Sequence, residues 1–393
     1  MDQSSKYLII GGGLAADAAV RGIRESDKTG RITVLSAERH PPYNRPPLSK
    51  KLWMGKPLES VWLKTEQAGV ELRLDTRAMS GDPTKRTITD KRGQVYHYEK
   101  LLLATGGSPR HLPFPDDGVI YFRTLDDYRR VRELADRKAE FIIIGGGFIG
   151  SEIAAALNIN GCKVSLVFPD KAIGARIYPP ELSEFLNTYF QEKGVELFPT
   201  ETVRAVERSG EKMLVMTAGG KAISGDAVIA GIGIQPETAL AEAIGLKIDN
   251  GVAVDDLLRT SNPDIYAAGD VANFYSPALE VRRRVEHEDN ARTMGAVAGR
   301  NMAGKTERYH HLPYFYSDLF DLGYEAVGEF GASLDIVQDW KEPFHKGIVY
   351  YLREGRVRGV LLWNTWGKVD AARQLIASKE KFSRESIRGK ITI

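Results

Sequence analysis

Tyr7-Leu8-Ile9-Ile10-Gly11-Gly12-Gly13-Leu14-Ala15-Ala16-Asp17-Ala18-Ala19 is the stretch on which the fold turns. Four apolar residues run into three glycines and then into an alanine-rich segment. That order reads as a buried strand, a tight turn and the start of a helix. The spacing is G-x-G-x-x-A at Gly11, Gly13 and Ala16. Glycine at the first position allows the turn, and glycine at the second lets a pyrophosphate approach the backbone. The small third residue lets helix and strand pack closely. A helix N-terminus then presents free N–H groups and the positive end of its dipole to phosphate. Gly11, Gly12, Gly13, Leu14, Ala15 and Ala16 are therefore candidate binding residues. Residues 31–36 read as the next strand, followed by Glu38 and Arg39. An acid placed there can accept hydrogen bonds from the ribose hydroxyls of an adenosine.

The same logic recurs further on. Glu140 to Ile144 reads as a strand, and Gly145-Gly146-Gly147-Phe148-Ile149-Gly150 is a full G-x-G-x-x-G. Ser151 to Leu157 reads as helix, Lys163 to Phe168 as the next strand, and Asp170 follows it. Gly145, Gly147, Phe148, Ile149 and Gly150 become a second set of candidates. One glycine turn is a weak signal. Two turns, each in strand–turn–helix–strand context and each followed by an acid, imply two dinucleotides. One bound flavin and one exchangeable nicotinamide explain the pair economically.

Working outward, 393 residues suggest two or three domains, and 42% hydrophobic content suits several cores. The 54 basic and 52 acidic residues leave a net charge of +2, which argues against nucleic acid as a partner. Cys162 is the only cysteine, so disulfides within the chain, a CxxC pair and a cysteine-rich metal site are excluded. It reads as a small core residue. No zinc spacing, Ser-His-Asp motif or P-loop is present, so no metal site is expected. No apolar run reaches membrane-spanning length. Tyr7 to Ile10 reads as a strand and not as a signal peptide. A reducing, cytoplasmic location is the expectation. Arg282-Arg283-Arg284 reads as a solvated or dimer-contact stretch before a helix, and a homodimer is an open expectation.

Further segments carry a resemblance that runs almost end to end. They are Pro42-Tyr43-Asn44-Arg45-Pro46-Pro47-Leu48-Ser49-Lys50, Leu101 to Pro109 with its Ala104-Thr105-Gly106 core, and Gly231-Ile232-Gly233-Ile234-Gln235-Pro236. Thr260 through Ile265-Tyr266-Ala267-Ala268-Gly269-Asp270 is another. In these the chain resembles the FAD-dependent pyridine nucleotide oxidoreductases, flavoproteins with two dinucleotide-binding domains. Arg283-Arg284-Val285-Glu286-His287 and Tyr316-Ser317-Asp318 through Gly323-Tyr324-Glu325 look most like the branch of apoptosis-inducing factor and the NADH-dependent ferredoxin reductases.

The resemblance implies an α/β fold with two Rossmann-like domains and a C-terminal α+β domain. The FAD domain would be discontinuous, 1–121 and 249–307, with the NAD(P)H domain at 122–248 and the C-terminal domain at 308–393. The charged, helix-like stretch Thr124 to Lys138 suits the start of the insertion. Residues 347–352 and 357–363 read as antiparallel strands with Glu354-Gly355 in their turn. The implied activity is hydride transfer from NADH to FAD, then electron transfer to a ferredoxin, a rubredoxin-like protein or a quinone. Lys50 would sit near the flavin N5 with Glu152 paired to it, as the catalytic residues. Arg45 and Arg123 would meet FAD phosphates or nearby groups, Ala78 the adenine, and Asp270 the ribityl chain. Ala104, Thr105 and Gly106 would line the flavin site, and Gly233 the nicotinamide side. A helix starting near Glu286 and His287 would aim its N-terminus at the flavin pyrimidine. Tyr316 stands where mammalian apoptosis-inducing factors have a tryptophan beside the flavin. Glu325 and Asn364 match nicotinamide contacts. Asp170 favours NADH by repelling a 2′-phosphate, although Lys171 and Arg176 are cations beside it. The competing reading is a redox-sensing interaction protein controlled by an NADH–reduced FAD complex. A third is a flavoprotein whose nicotinamide site has been retired, against which stand the complete glycines at 145, 147 and 150.

Overall fold

Ser4–Ile10 is β-branched and aliphatic over its second half, and it lies in the middle of a seven-stranded sheet because both its faces are covered. The computed structural model describes residues 4–393. They form two compact units. One comprises the chain up to Asn44, Glu59–Ser108 and Gln235–Phe315; the other comprises Arg45–Leu58, Pro109–Ile234 and Tyr316–Ile393.

In the first unit, Glu71–Arg73, Ile32–Leu35, Ser4–Ile10 and Val95–Leu103 run parallel in that order, and Ile265–Ala267 adds to the end of Val95–Leu103. Ala78–Asp82 and Thr87–Asp90 extend the sheet as an antiparallel arm. Ile10 is level with Leu35 on one side and Leu103 on the other, so neighbouring strands end together. The helices Leu14–Ser26 and Glu288–Met302 pack tightly on one another. A Cβ at Gly295 would lie 2.3 Å from the Ala15 carbonyl oxygen, and one at Gly299 would lie 2.1 Å from that of Ala19. No side chain fits between these helices at those two points.

In the second unit, Glu196–Phe198, Val164–Val167, Phe141–Ile144, Ala227–Ala230 and Ile120–Tyr121 form a parallel sheet in that order. The helix Leu125–Asp136 starts at a capping box in which Thr124 and Asp127 satisfy each other's backbone N–H groups. Phe148–Ile159 is buried along most of its length, as a helix laid on such a sheet must be. Val203–Ser209, Lys212–Thr217 and Ala222–Gly225 form a separate antiparallel sheet. The C-terminal sheet runs Tyr314–Leu319, Leu322–Gly328, Arg356–Trp363, Lys346–Arg353, Asp335–Glu342, with the helix Val369–Ala377 against it. Glu354 and Gly355 have φ of +54° and +80°, as a two-residue hairpin turn requires. The mixed α/β architecture with a β-rich C-terminal part is the one expected from the sequence. Cys162 is buried and its thiol donates to the Ala135 carbonyl; burial pushes that thiol up.

Candidate cofactor cradles and the Lys50–Glu152 cluster

Three segments of the first unit converge at the carboxyl end of its parallel sheet. Gly11 has φ +124°, and a Cβ there would lie 2.0 Å from the Ala104 carbonyl oxygen. Only glycine can turn that corner. Gly12 is pressed against Ser36, whereas a Cβ on Gly13 would meet nothing within 4 Å. Gly13 is also the N-cap of Leu14–Ser26, and no side chain caps that helix. Leu14, Ala15 and Ala16 are buried in its first turn. An uncapped helix start facing open space is a place for an anion. The Ala104-Thr105-Gly106 segment is tied down by Ala104 N–H to Ile10, Thr105 Oγ1 to the Glu237 carbonyl and Glu237 N–H to Gly106. The turn Gly269–Val271 lies against Ala15. In open α/β sheets ligands bind at this end of the strands, so the backbone here fits a dinucleotide phosphate.

The remaining first-unit candidates surround that turn unevenly. Glu38 accepts from Tyr43 Oη at 2.6 Å and follows the second strand, while Arg39 is exposed. Ala78 opens the antiparallel arm, paired with Asp90. The Asp270 carbonyl accepts from Arg284, whose guanidinium also pairs with Glu286. His287 is the N-cap of Glu288–Met302, one residue beyond the expected start, and its ring stacks on Phe315 at 4.2 Å. The Arg282–Arg284 run is the solvated stretch expected only in part: Arg282 is exposed while donating to the carbonyls of Val254 and Asn273, whereas the Arg284 side chain is 9% exposed.

The second unit repeats the cradle. Gly145 has φ +113° and abuts the Gly231 carbonyl; a Cβ on Gly150 would lie 1.8 Å from the Gly145 carbonyl oxygen. Gly147 faces open space and begins the uncapped helix Phe148–Ile159, on which Phe148 is half-buried and Ile149 exposed. Gly233 has φ +95°, and its carbonyl accepts from Arg110 N–H. Asp170 stands beyond the next strand with Arg176 Nε 3.2 Å from its Oδ1. Arg45 and Arg123 are brought together, Arg45 Nη1 donating to the Arg123 carbonyl. Glu325 accepts from Gly367 N–H, and burial pushes its carboxyl up. Both ends of the Asn364 amide hold the adjoining turn, Oδ1 accepting from Gly323 N–H and Nδ2 donating to the His345 carbonyl.

Lys50 and Glu152 form the most enclosed ionic group of this unit. Lys50 sits between two short 3-10 turns, Pro46–Ser49 and Lys51–Met54, and its side chain is 8% exposed. Its Nζ lies 2.7 Å from Oε2 of Glu152, whose side chain is 3% exposed. Ser49 Oγ donates to the same oxygen at 2.7 Å, and Ser317 Oγ donates to Oε1 at 2.6 Å. The Lys50 ammonium also lies 5.3 Å from the Tyr316 ring centroid. A surface lysine is thereby ruled out. Ser49 and Ser317 are the residues that the sequence reading quoted but gave no task. Only the half-buried, buried, half-buried, buried alternation of Tyr316, Ser317, Asp318 and Leu319 marks Ser317 as inward-facing.

Residues 5–295 match the model for pyridine nucleotide-disulphide oxidoreductases. The chain belongs to that family. Residues 336–378 match a second model, the C-terminal region of mitochondrion-associated apoptosis-inducing factor. Apoptosis-inducing factor 1 of Dictyostelium discoideum is 34% identical over 95% of this chain and 78% of that protein. The ferredoxin–NAD(+) reductase component of the anthranilate 1,2-dioxygenase system of Burkholderia cepacia is 33% identical, over 95% of this chain and 94% of its own. Monodehydroascorbate reductase 3 of Arabidopsis thaliana is 32% identical over 92% and 90%. Among solved structures, the reductase in a covalent putidaredoxin reductase–putidaredoxin complex superposes with a TM-score of 0.91 at 29% identity, covering 97% of this chain and 95% of that one. This pyridine nucleotide-disulphide oxidoreductase is thus a ferredoxin reductase-like oxidoreductase, and its family implies a flavin and a nicotinamide nucleotide. Among the described residues no helix is long and apolar enough to cross a membrane.

Proposed function

We propose that this oxidoreductase binds FAD at the Gly11–Ala16 turn and NADH at the Gly145–Gly150 turn, and passes electrons to a small iron–sulfur protein of ferredoxin type. The observation that carries it is the pair of uncapped helix starts, each facing open space beside a glycine that no other residue can replace. When bound, the flavin supplies the ability to take two electrons together and release them singly. The protein supplies position and charge. Glu38 offers a carboxylate to an adenosine ribose, with Tyr43 fixing one oxygen. Asp270, Arg45, Arg123, Glu286 and His287 are assigned to the flavin, and Gly233, Glu325 and Asn364 to the nicotinamide. Lys50 presents an ammonium whose direction is set by Glu152 and the Tyr316 ring. An ammonium fixed there favours electron density arriving beside it. Asp170 selects NADH, and its contact with Arg176 sets how strictly. The three-domain division at 1–121 with 249–307, 122–248 and 308–393 goes with this reading. A lone buried thiol suits a reducing compartment such as the cytoplasm.

The test is an anaerobic titration of the FAD-loaded protein, followed by its visible spectrum, with NADH and in parallel NADPH. Bleaching that is faster with NADH supports the reading. Failure of both nucleotides to bleach the flavin, or failure of the protein to bind FAD, overturns it.

A further inference from the structure

The reaction just proposed leaves one proton to be disposed of. One NADH and two one-electron acceptors give NAD+, two reduced acceptors and one H+. The hydride brings two electrons and a proton; the electrons leave singly, and the proton must reach water.

Glu152 is badly placed for that task. Its Oε2 already accepts from Ser49 and Lys50 and its Oε1 from Ser317, and the side chain is closed to solvent. A carboxylate surrounded by three donors in a buried site is a fixed counter-ion. A proton carrier needs a free oxygen and a route out. The carboxyl next to Ser317 has free oxygens and is partly open to solvent. Asp318 follows Ser317 in Tyr314–Leu319, and successive side chains of a strand alternate between faces. It therefore shares the face of Tyr316, the ring over which the Lys50 ammonium lies. It is half-buried, whereas Ser317 and Leu319 are buried. Among the described residues its carboxyl makes no side-chain hydrogen bond and no ion pair. The geometry points to Asp318 as the group that takes up this proton and hands it to solvent, with the Lys50–Glu152 pair as its fixed electrostatic frame.

The charges around it support the assignment. Burial raises the Asp318 carboxyl, Lys50 and Lys51 act to lower it and Glu152 acts to raise it, with a net upward direction. A carboxyl raised towards the working pH is a better proton carrier than an ordinary one. The inference rests on the proposed NADH-to-acceptor reaction, so its test separates the two.

FAD-loaded protein, reduced with one equivalent of NADH in weak buffer containing a pH indicator, is mixed with ferricyanide as the one-electron probe. In Asp318→Asn, flavin reoxidation and proton release should both slow by about a hundredfold. Sodium acetate should restore part of each rate, and Asp318→Glu should keep most of it. Rescue by a small carboxylate is something a merely structural role would not give. An Asn variant with wild-type rates and no response to acetate overturns the assignment. The second readout uses protein stripped of cofactor. An infrared pH titration should show a carboxyl band, absent from Asp318→Asn, that titrates above the ordinary aspartate range; no such difference also overturns it. If NADH fails to bleach the wild-type flavin, the functional reading falls and the role of Asp318 with it; normal bleaching with unchanged Asn-variant rates overturns Asp318 alone.

Discussion

Lys50 and Glu152 are legible in the sequence only through resemblance, because one lysine and one glutamate 102 positions apart carry no spacing signal. The structure adds the physical reason they matter, which is burial of both charges with complete pairing. Removing one partner leaves the other buried and uncompensated. Lys50→Met should therefore destabilise by about 3–5 kcal/mol, and combining it with Glu152→Leu should recover much of that loss. Urea denaturation of the two variants checks this; equal stability of single and double variants would show that the pair is wetter than its exposure indicates. Ser317→Ala removes the hydrogen bond to the Glu152 carboxylate, and a loss of roughly 1.5–3 kcal/mol is expected from the same measurement. At the other candidate pair, Arg176 is an exposed cation on the very carboxylate that should repel a 2′-phosphate. Arg176→Ala should thus raise the NADH-over-NADPH ratio of kcat/KM, chiefly by weakening NADPH. A ratio that falls would mean the arginine serves NADH.

At the scale of elements, the two glycine turns were readable because backbone geometry dictates them: a positive φ or an approach to a carbonyl allows one residue type and so leaves a mark in the sequence. The hairpin at Glu354-Gly355 was visible for the same kind of local reason, whereas the Thr124–Asp127 capping box at the start of the expected helix is seen only in the structure. The crossing of Leu14–Ser26 and Glu288–Met302 was not. Gly295 and Gly299 are four residues apart, but only their partners Ala15 and Ala19, some 280 residues earlier, show why no side chain is allowed. The Arg282–Arg284 run misled only at Arg284: a charge run is usually solvated, and nothing local announces that the Asp270 carbonyl and Glu286 will receive that guanidinium. Gly299→Ala should cost about 1–3 kcal/mol as the helices are forced apart, read as a lower urea midpoint. Gly150→Ala drives a methyl into the Gly145 carbonyl. It should abolish NADH-dependent bleaching while FAD content stays near wild type. Loss of FAD as well would mean that the two cradles do not fold independently.

For the whole molecule, acid sensitivity follows from which carboxyls the fold favours ionised. Hydrogen bonding to Lys100 lowers Asp264, and hydrogen bonding to Arg300 lowers Glu307. A carboxyl lowered by folding contributes stability above its unfolded pKa of about 4, and that contribution is lost as pH falls through the lowered value. Burial raises Glu325, so its sign is opposite: the fold prefers it protonated, and the preference is lost as pH climbs above about 4. Glu325→Gln should accordingly stabilise the protein at pH 7 and make little difference near pH 4, by urea midpoints at the two pH values. A gain of equal size at both would locate the effect in something other than charge. The buried Cys162 gives a way to watch these effects without any spectrum of a cofactor. It is the one thiol in 393 residues, and it is closed off within the unit that carries Gly145–Gly150. A thiol reagent can reach it only when that part of the chain opens, so the rate of labelling is a clock for local opening. Slowing of that clock by NADH would measure, in a cofactor-free and colourless protein, how firmly the nucleotide holds its own half of the molecule shut.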